Sequence, residues 1–110
     1  MKMARKAEDR KSYPVDMNLL IGRCRNIESA GLGMSIKSEN PTETGVWFRI
    51  HHERTRQSFG EKITVTMTKT NQGTDVHILS QVGMSTQLTD GGTNKNNVAQ
   101  IFAYLDGGIA

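Results

Sequence analysis

Three stretches between Gly45 and Gly83 alternate apolar and polar residues with a period of two. They are Val46-Trp47-Phe48-Arg49-Ile50-His51, Ile63-Thr64-Val65-Thr66-Met67-Thr68 and Val76-His77-Ile78-Leu79-Ser80-Gln81-Val82. Successive side chains of a strand point to opposite faces. This pattern therefore places Val46, Phe48, Ile50, Ile63, Val65, Met67, Val76, Ile78 and Val82 on one side of a sheet. The other side receives Trp47, Arg49, His51, Lys62, the threonines and His77. A sheet apolar on one face needs a cover on that face only, which narrows the architecture sharply.

The cover is legible on both flanks. Leu20, Cys24 and Ile27, with Met17, Ile21 and Ala30 beside them, repeat at helical spacing. Asp16 stands where an N-cap or a first-turn carboxylate suits a helix start, and Gly31 and Gly33 supply the stop. Near the C-terminus Val98, Ile101, Phe102 and Leu105 recur at i, i+3, i+4 and i+7, and Gly107-Gly108 end the run. Asp90 or Thr93 is the expected cap of this second helix. Between the helices, Met34–Ser38 alternates as a short strand, and 46–52, 61–69 and 75–82 follow. Glu39–Gly45, the polar Glu53–Gly60 and Asn71-Gln72-Gly73 provide the connections.

The expected fold is two-layer α+β: a four-stranded antiparallel meander with two helices packed on one face. Lys11–Val15 reads as a short extended segment, a fifth edge strand at most, because Pro14 biases Tyr13 toward β geometry. Residues 1–11 carry no period and no apolar anchor, and are expected to be a mobile basic tail before a single domain over 12–110. The expected core joins the two helical stripes to Phe48, Ile50, Ile63, Val65, Met67 and Ile78. Truncating Phe102 is then expected to cost roughly 3–5 kcal/mol, as for a buried aromatic.

Composition sets the remaining bounds. The chain has 110 residues, a net charge of +3 and one cysteine, so no internal disulfide forms. A lone thiol fits a reducing compartment. No apolar run reaches the roughly 18 residues of a membrane helix, and Met1–Lys6 leads into charge. The expected location is the cytoplasm, with no membrane association.

Gly60-Glu61-Lys62-Ile63-Thr64-Val65, together with Thr86-Gln87-Leu88-Thr89-Asp90-Gly91-Gly92-Thr93-Asn94-Lys95-Asn96-Asn97-Val98, resembles a family of small bacterial α+β proteins of no known activity. The resemblance spans roughly Pro14 to Leu105. It implies the order helix, meander, helix and carries over no functional residue.

Candidate chemistry is sparse. His51 and His52 are adjacent on a strand, so they face opposite ways and cannot chelate one metal; His77 shares the face of His51 but lacks a third ligand. No metal and no cofactor is expected. Cys24 lies on an apolar stripe, where a thiol is inert. No Ser–His–acid order, nucleophile elbow or paired acid and base appears, so an enzyme ranks third among the readings. Gly91, Gly92, Thr93 and Lys95 precede a helix, where backbone N–H groups can meet an anion; a plain turn and cap is the alternative.

The polar sheet face remains, with Trp47, Arg49, His51, Lys62, Thr66 and His77 as partner- or ligand-binding candidates. Tryptophan is enriched at protein interfaces. The leading reading is a small non-enzymatic binding or protein-interaction module that uses this face, with self-association as one form of it. The alternative is a nucleic-acid or polyanion binder acting through the basic 49–62 region, though the single aromatic makes a poor stacking platform.

Overall fold

The computed structural model describes residues 6–53, 60–83 and 92–109. In chain order it contains β1 (Lys6–Tyr13), α1 (Met17–Arg25), a 3₁₀ turn (Ile27–Ala30), β2 (Met34–Pro41), β3 (Gly45–His52), β4 (Glu61–Thr70), β5 (Gly73–Val82) and α2 (Thr93–Gly107). The strands form one antiparallel sheet in the order β1-β5-β4-β3-β2. The meander expected for the last four strands is present within it. Both helices cover the same face: α2 packs over β1 and β5, α1 meets β4 and α2, and the 3₁₀ turn meets β2.

The expected four-stranded sheet is overturned. The sheet has five strands, and the fifth is not a short Lys11–Val15 segment but the eight-residue β1, paired with β5 along its whole length from Lys6 opposite Gln81 to Tyr13 opposite Thr74. Residues 6–11, expected to lie outside the domain, thus build the sheet edge. The sequence Lys6-Ala7-Glu8-Asp9-Arg10-Lys11-Ser12-Tyr13 has no apolar alternation because an edge strand over a helix margin has little to bury. Its anchors are Tyr13, which is buried, and Ala7, which packs against the core. The charged edge also discourages further strand addition.

Side-chain contacts complete that anchoring. The Tyr13 hydroxyl donates to Asp106 Oδ1 on α2 at 2.7 Å, and Lys11 Nζ reaches both oxygens of the same carboxylate at 2.7 and 2.8 Å. The Lys11 ammonium and then the Tyr13 hydroxyl hold the Asp106 carboxyl below its ordinary range. Burial, reinforced by Asp106, pushes the Tyr13 phenol up. Residue Thr74, buried opposite Tyr13, donates to Val15 O and fixes the exit from β1. Gly73 opens β5 at φ 146 because a Cβ there would strike the backbone carbonyl of Tyr13.

The core is the layer between sheet and helices. Leu20, Cys24, Ile27, Phe48, Ile50, Ile63, Val65, Ile78, Ile101 and Leu105 are wholly excluded from solvent, and Met67, Val76, Met34, Val46 and Val98 nearly so. Asp16 caps α1, its carboxylate accepting from Asn18 N at 2.8 Å. The 3₁₀ turn stops at Gly31, whose φ of 76 is left-handed. Strand β2 runs three residues beyond the expected Ser38, to Pro41, with a bulge between Ile36 and Ser38. The β4–β5 hairpin takes the register with Thr66 opposite His77 and Thr68 opposite Asp75.

One core expectation changes. Phe102 is only partly buried and packs against the rim, whereas Ile101 is fully enclosed. A step of one residue turns the helix by about 100°, so with Val98, Ile101 and Leu105 at the centre of the stripe Phe102 falls to its margin. Ile101→Ala should therefore lower stability by about 2–5 kcal/mol, the range for a buried aliphatic, and Phe102→Ala by less; urea denaturation midpoints check the order. The Tyr13–Asp106 contacts predict a second profile. Since the Asp106 pKa is depressed on folding, its contribution is present above about pH 4 and lost as pH falls. The Tyr13 pKa is raised, so its contribution is present below about pH 10 and lost as pH rises. Asp106→Asn should flatten the acid limb of the denaturation midpoint, and Tyr13→Phe the alkaline limb.

Candidate functional site

Parity and register lay out the face of the sheet opposite the helices. One row across all five strands reads Asn40, Trp47, Thr66, His77 and Arg10; the next reads Ser38, Arg49, Thr64, Leu79 and Glu8. His51, Lys62, Gln81 and Lys6 follow toward the β3–β4 end. No described helix covers this face. The sequence-derived candidates Trp47, Arg49, His51, Lys62, Thr66 and His77 all lie on it, with Lys62 exposed and the others half-buried.

Specific contacts organise the face. The Arg49 guanidinium lies 5.6 Å from the centre of the Trp47 ring, within cation–π range. Its Nε is buried and has no hydrogen-bond acceptor. His77 Nε2 stands 3.3 Å from Glu8 Oε2, and Ser12 Oγ donates to Asp75 Oδ1 at 2.7 Å. Beside these pairs, Arg10, Ser12, Thr66, Thr68, Asp75 and His77 border a shallow groove of about 340 Å³. Strand β1 contributes Arg10, Lys6 and Glu8, which the sequence reading left out because it assigned them to a tail.

Two more grooves, of about 380 and 480 Å³, flank Pro14 at the β4–β5 turn. Their carboxylates are already engaged: Asp16 caps α1 and Asp75 accepts from Ser12. Among the described residues no three His, Cys, Asp or Glu side chains assemble a metal site. Burial, with a smaller contribution from Glu39, pushes the Cys24 thiol up to about 12, so it is unreactive at neutral pH.

Of the anion-site candidates before α2, the structure describes Gly92, Thr93 and Lys95. Gly92, in the left-handed conformation at φ 85, is the N-cap, without any side-chain cap hydrogen bond. It replaces the expected Asp90 or Thr93; Thr93 is the first helical residue and Lys95 is exposed. Asp90 and Gly91 lie outside the described residues. Of the basic group of the polyanion alternative, His51 and Lys62 lie with Arg49 on the open side, His52 turns toward the helices, and Arg54 and Arg56 lie outside the described residues.

His52 leads to a polar layer that sequence reasoning missed. Its Nδ1 lies 2.6 Å from Oε1 of Glu61, which is completely buried. Asn97 Nδ2 donates to the same oxygen at 2.7 Å and approaches Ser80 Oγ at 3.3 Å, while Ser80 Oγ donates to Asn94 Oδ1 at 2.8 Å. Asn97 Oδ1 is buried without a partner. The signal was parity: His52, Glu61 and Ser80 continue the core-facing positions of their strands, and Asn94 and Asn97 precede Val98 and Ile101 by one helical turn. Asn97→Ala should lower stability by about 1–3 kcal/mol by removing a donor from the buried carboxylate. Asn97→Asp should lower it further, because two buried carboxyl groups would then compete for one site. Urea denaturation at neutral pH checks both.

No protein-family model matches this chain, and no curated protein does. Solved structures do. Protein MLL2253 from Mesorhizobium loti matches with a TM-score of 0.64 at 14% identity over 96% of each chain. Ara h 8.0201 matches with 0.56 at 10% identity, over 93% of this chain and 95% of the other. Protein CV1439 from Chromobacterium violaceum matches with 0.54 at 8% identity over the same shares. The resemblance to bacterial α+β proteins read from the sequence is supported at this level, and at such identities the likeness is one of fold. No helix among the described residues is long and apolar enough to cross a membrane.

Proposed function

We propose that the chain is a small non-enzymatic binding module whose working surface is the open sheet face, and that the occupant is another protein. The observation that carries the reading is Trp47: a large, half-buried aromatic on the side away from the core, with the Arg49 guanidinium beside its ring. Tryptophan and arginine are enriched among the anchoring residues of protein interfaces. The flat array of hydroxyl and cationic groups around them suits a polar rim. Stacking of nucleic-acid bases is favoured less, because one aromatic stands alone and Arg49 already occupies its surroundings. Ara h 8.0201 and the bacterial neighbours support the fold beneath this reading, not a ligand for it.

Trp47→Ser tests the proposal. Immobilised wild type is expected to retain a partner from a lysate of the native host, and Trp47→Ser to lose it with an unchanged urea midpoint, since the side chain lies outside the core. Equal retention by both proteins would overturn the reading. A light-scattering mass of two chains that falls to one in Trp47→Ser would replace the foreign partner with a second copy.

A further inference from the structure

We infer that the surface docking on the open face is acidic, an extended segment rich in carboxylates that Arg49 and Arg10 recognise; this rests on the reading of that face as the working surface. The ion pairs made by lysine and arginine lie on the helix side of the sheet. On the helix side Lys11 pairs with Asp106 and Arg25 with Glu39, and Arg23 donates to Tyr104 O while lying 4.0 Å from that ring's centre. On the open side Lys6, Arg10, Arg49 and Lys62 make no ion pair among the described residues. The carboxylates there are Glu8 and Asp75, and each already has a neighbour, His77 and Ser12 respectively. Four cations against two engaged carboxylates leave an unbalanced positive surface. A second copy of the same face would meet it with like charge.

Arg49 sharpens the inference. Its Nε is a buried donor lacking an acceptor, and a guanidinium fork matches the two oxygens of a carboxylate. Engagement requires the side chain to shift against Trp47, so binding should register in the emission of the chain's one tryptophan. The groove offers a second seat, where Arg10, His77, Thr66 and Thr68 present donors. Trp47 and Arg10 share one row, separated by three strand steps, or about 14 Å. An extended peptide covers that span with about four to five residues.

The probe is fluorescein-labelled hexaglutamate, titrated into the full chain and followed by anisotropy and by Trp47 emission. Saturable binding that weakens with added salt is expected. Arg49→Gln and Arg10→Gln should each weaken it roughly ten-fold, the scale of one charge-assisted hydrogen bond. Lys69→Gln, at an exposed position on the helix side of β4, should leave it unchanged. Absence of saturable binding, or equal weakening by Lys69→Gln, would overturn the inference. So would displacement of the peptide by oligothymidine at lower concentrations than by unlabelled hexaglutamate, which would assign the face to nucleic acid. If hexaglutamate fails while capture still depends on Trp47, only the acidic chemistry falls. Capture independent of Trp47 removes the reading beneath it.

Discussion

Removal of one sheet face from water is the constraint on which everything else here depends. Ile63, Val65 and Met67 run down the middle strand β4, with Phe48 and Ile50 on one side and Val76 and Ile78 on the other. That surface has value only when covered, and α1 and α2 supply the cover from opposite ends of the sequence. Three of the four pairings join strands that follow one another in the sequence. The exception is β1 on β5, which brings residues 6–13 beside residues 74–81. Long-range pairing of a polar strand gains little from apolar burial, so it leans on Tyr13 and on the Asp106 contacts that tie it to the last helix.

What was legible in the sequence follows from this division. Strands β3, β4 and β5 announce themselves because alternation is the direct imprint of a one-sided core, and α1 and α2 do so because an apolar stripe is the matching imprint on a helix. Strand β1 left no such imprint. Only Ala7 and Tyr13 of its eight residues pack against the core, and propensity reads the rest as tail. The candidate residues on β3, β4 and β5 were found because parity places them whatever else happens. Arg10 and Lys6 could not be found before β1 was known to be a strand. The polar layer was hidden for a different reason. His52, Glu61 and Ser80 obey parity, but a polar residue at a strand end is read as the end of the strand rather than as a buried group. Their burial depends on Asn97 and Asn94 arriving from another element to satisfy them.

The ion pairs made by lysine and arginine lie on the helix side of the sheet, and this supports the proposed use of the open face. Toward the helices, cationic side chains that approach the core margin find carboxylates or aromatic rings placed for them. Pairing of that kind holds elements together and leaves little over. Across the sheet, Arg49 is packed against the one tryptophan with a donor unsatisfied, although Thr64 stands directly opposite it and offers a hydroxyl. A side chain selected only for stability or solubility would project its guanidinium into water, where every N–H is satisfied. Holding it half-buried sacrifices hydration for position, the trade expected where a surface is arranged in advance for an acceptor yet to arrive.

The end of β3 shows how the fold keeps the open face and the buried layer apart. His51 and His52 are consecutive, yet one faces Lys62 across the open side and the other faces Glu61 within the polar layer. Strand geometry forces that separation: adjacent side chains cannot share a face, so a contact formed by His51 reaches the buried carboxylate only through backbone. The open face can therefore vary in charge and shape while the core-side positions stay constrained by burial. The polar layer lacks this freedom, because its residues hydrogen-bond to one another, and a change at Glu61 removes a contact from His52 and Asn97 together. A scaffold built this way fixes its interior through hydrogen bonds among buried groups and leaves the opposite side of the same strands free to vary.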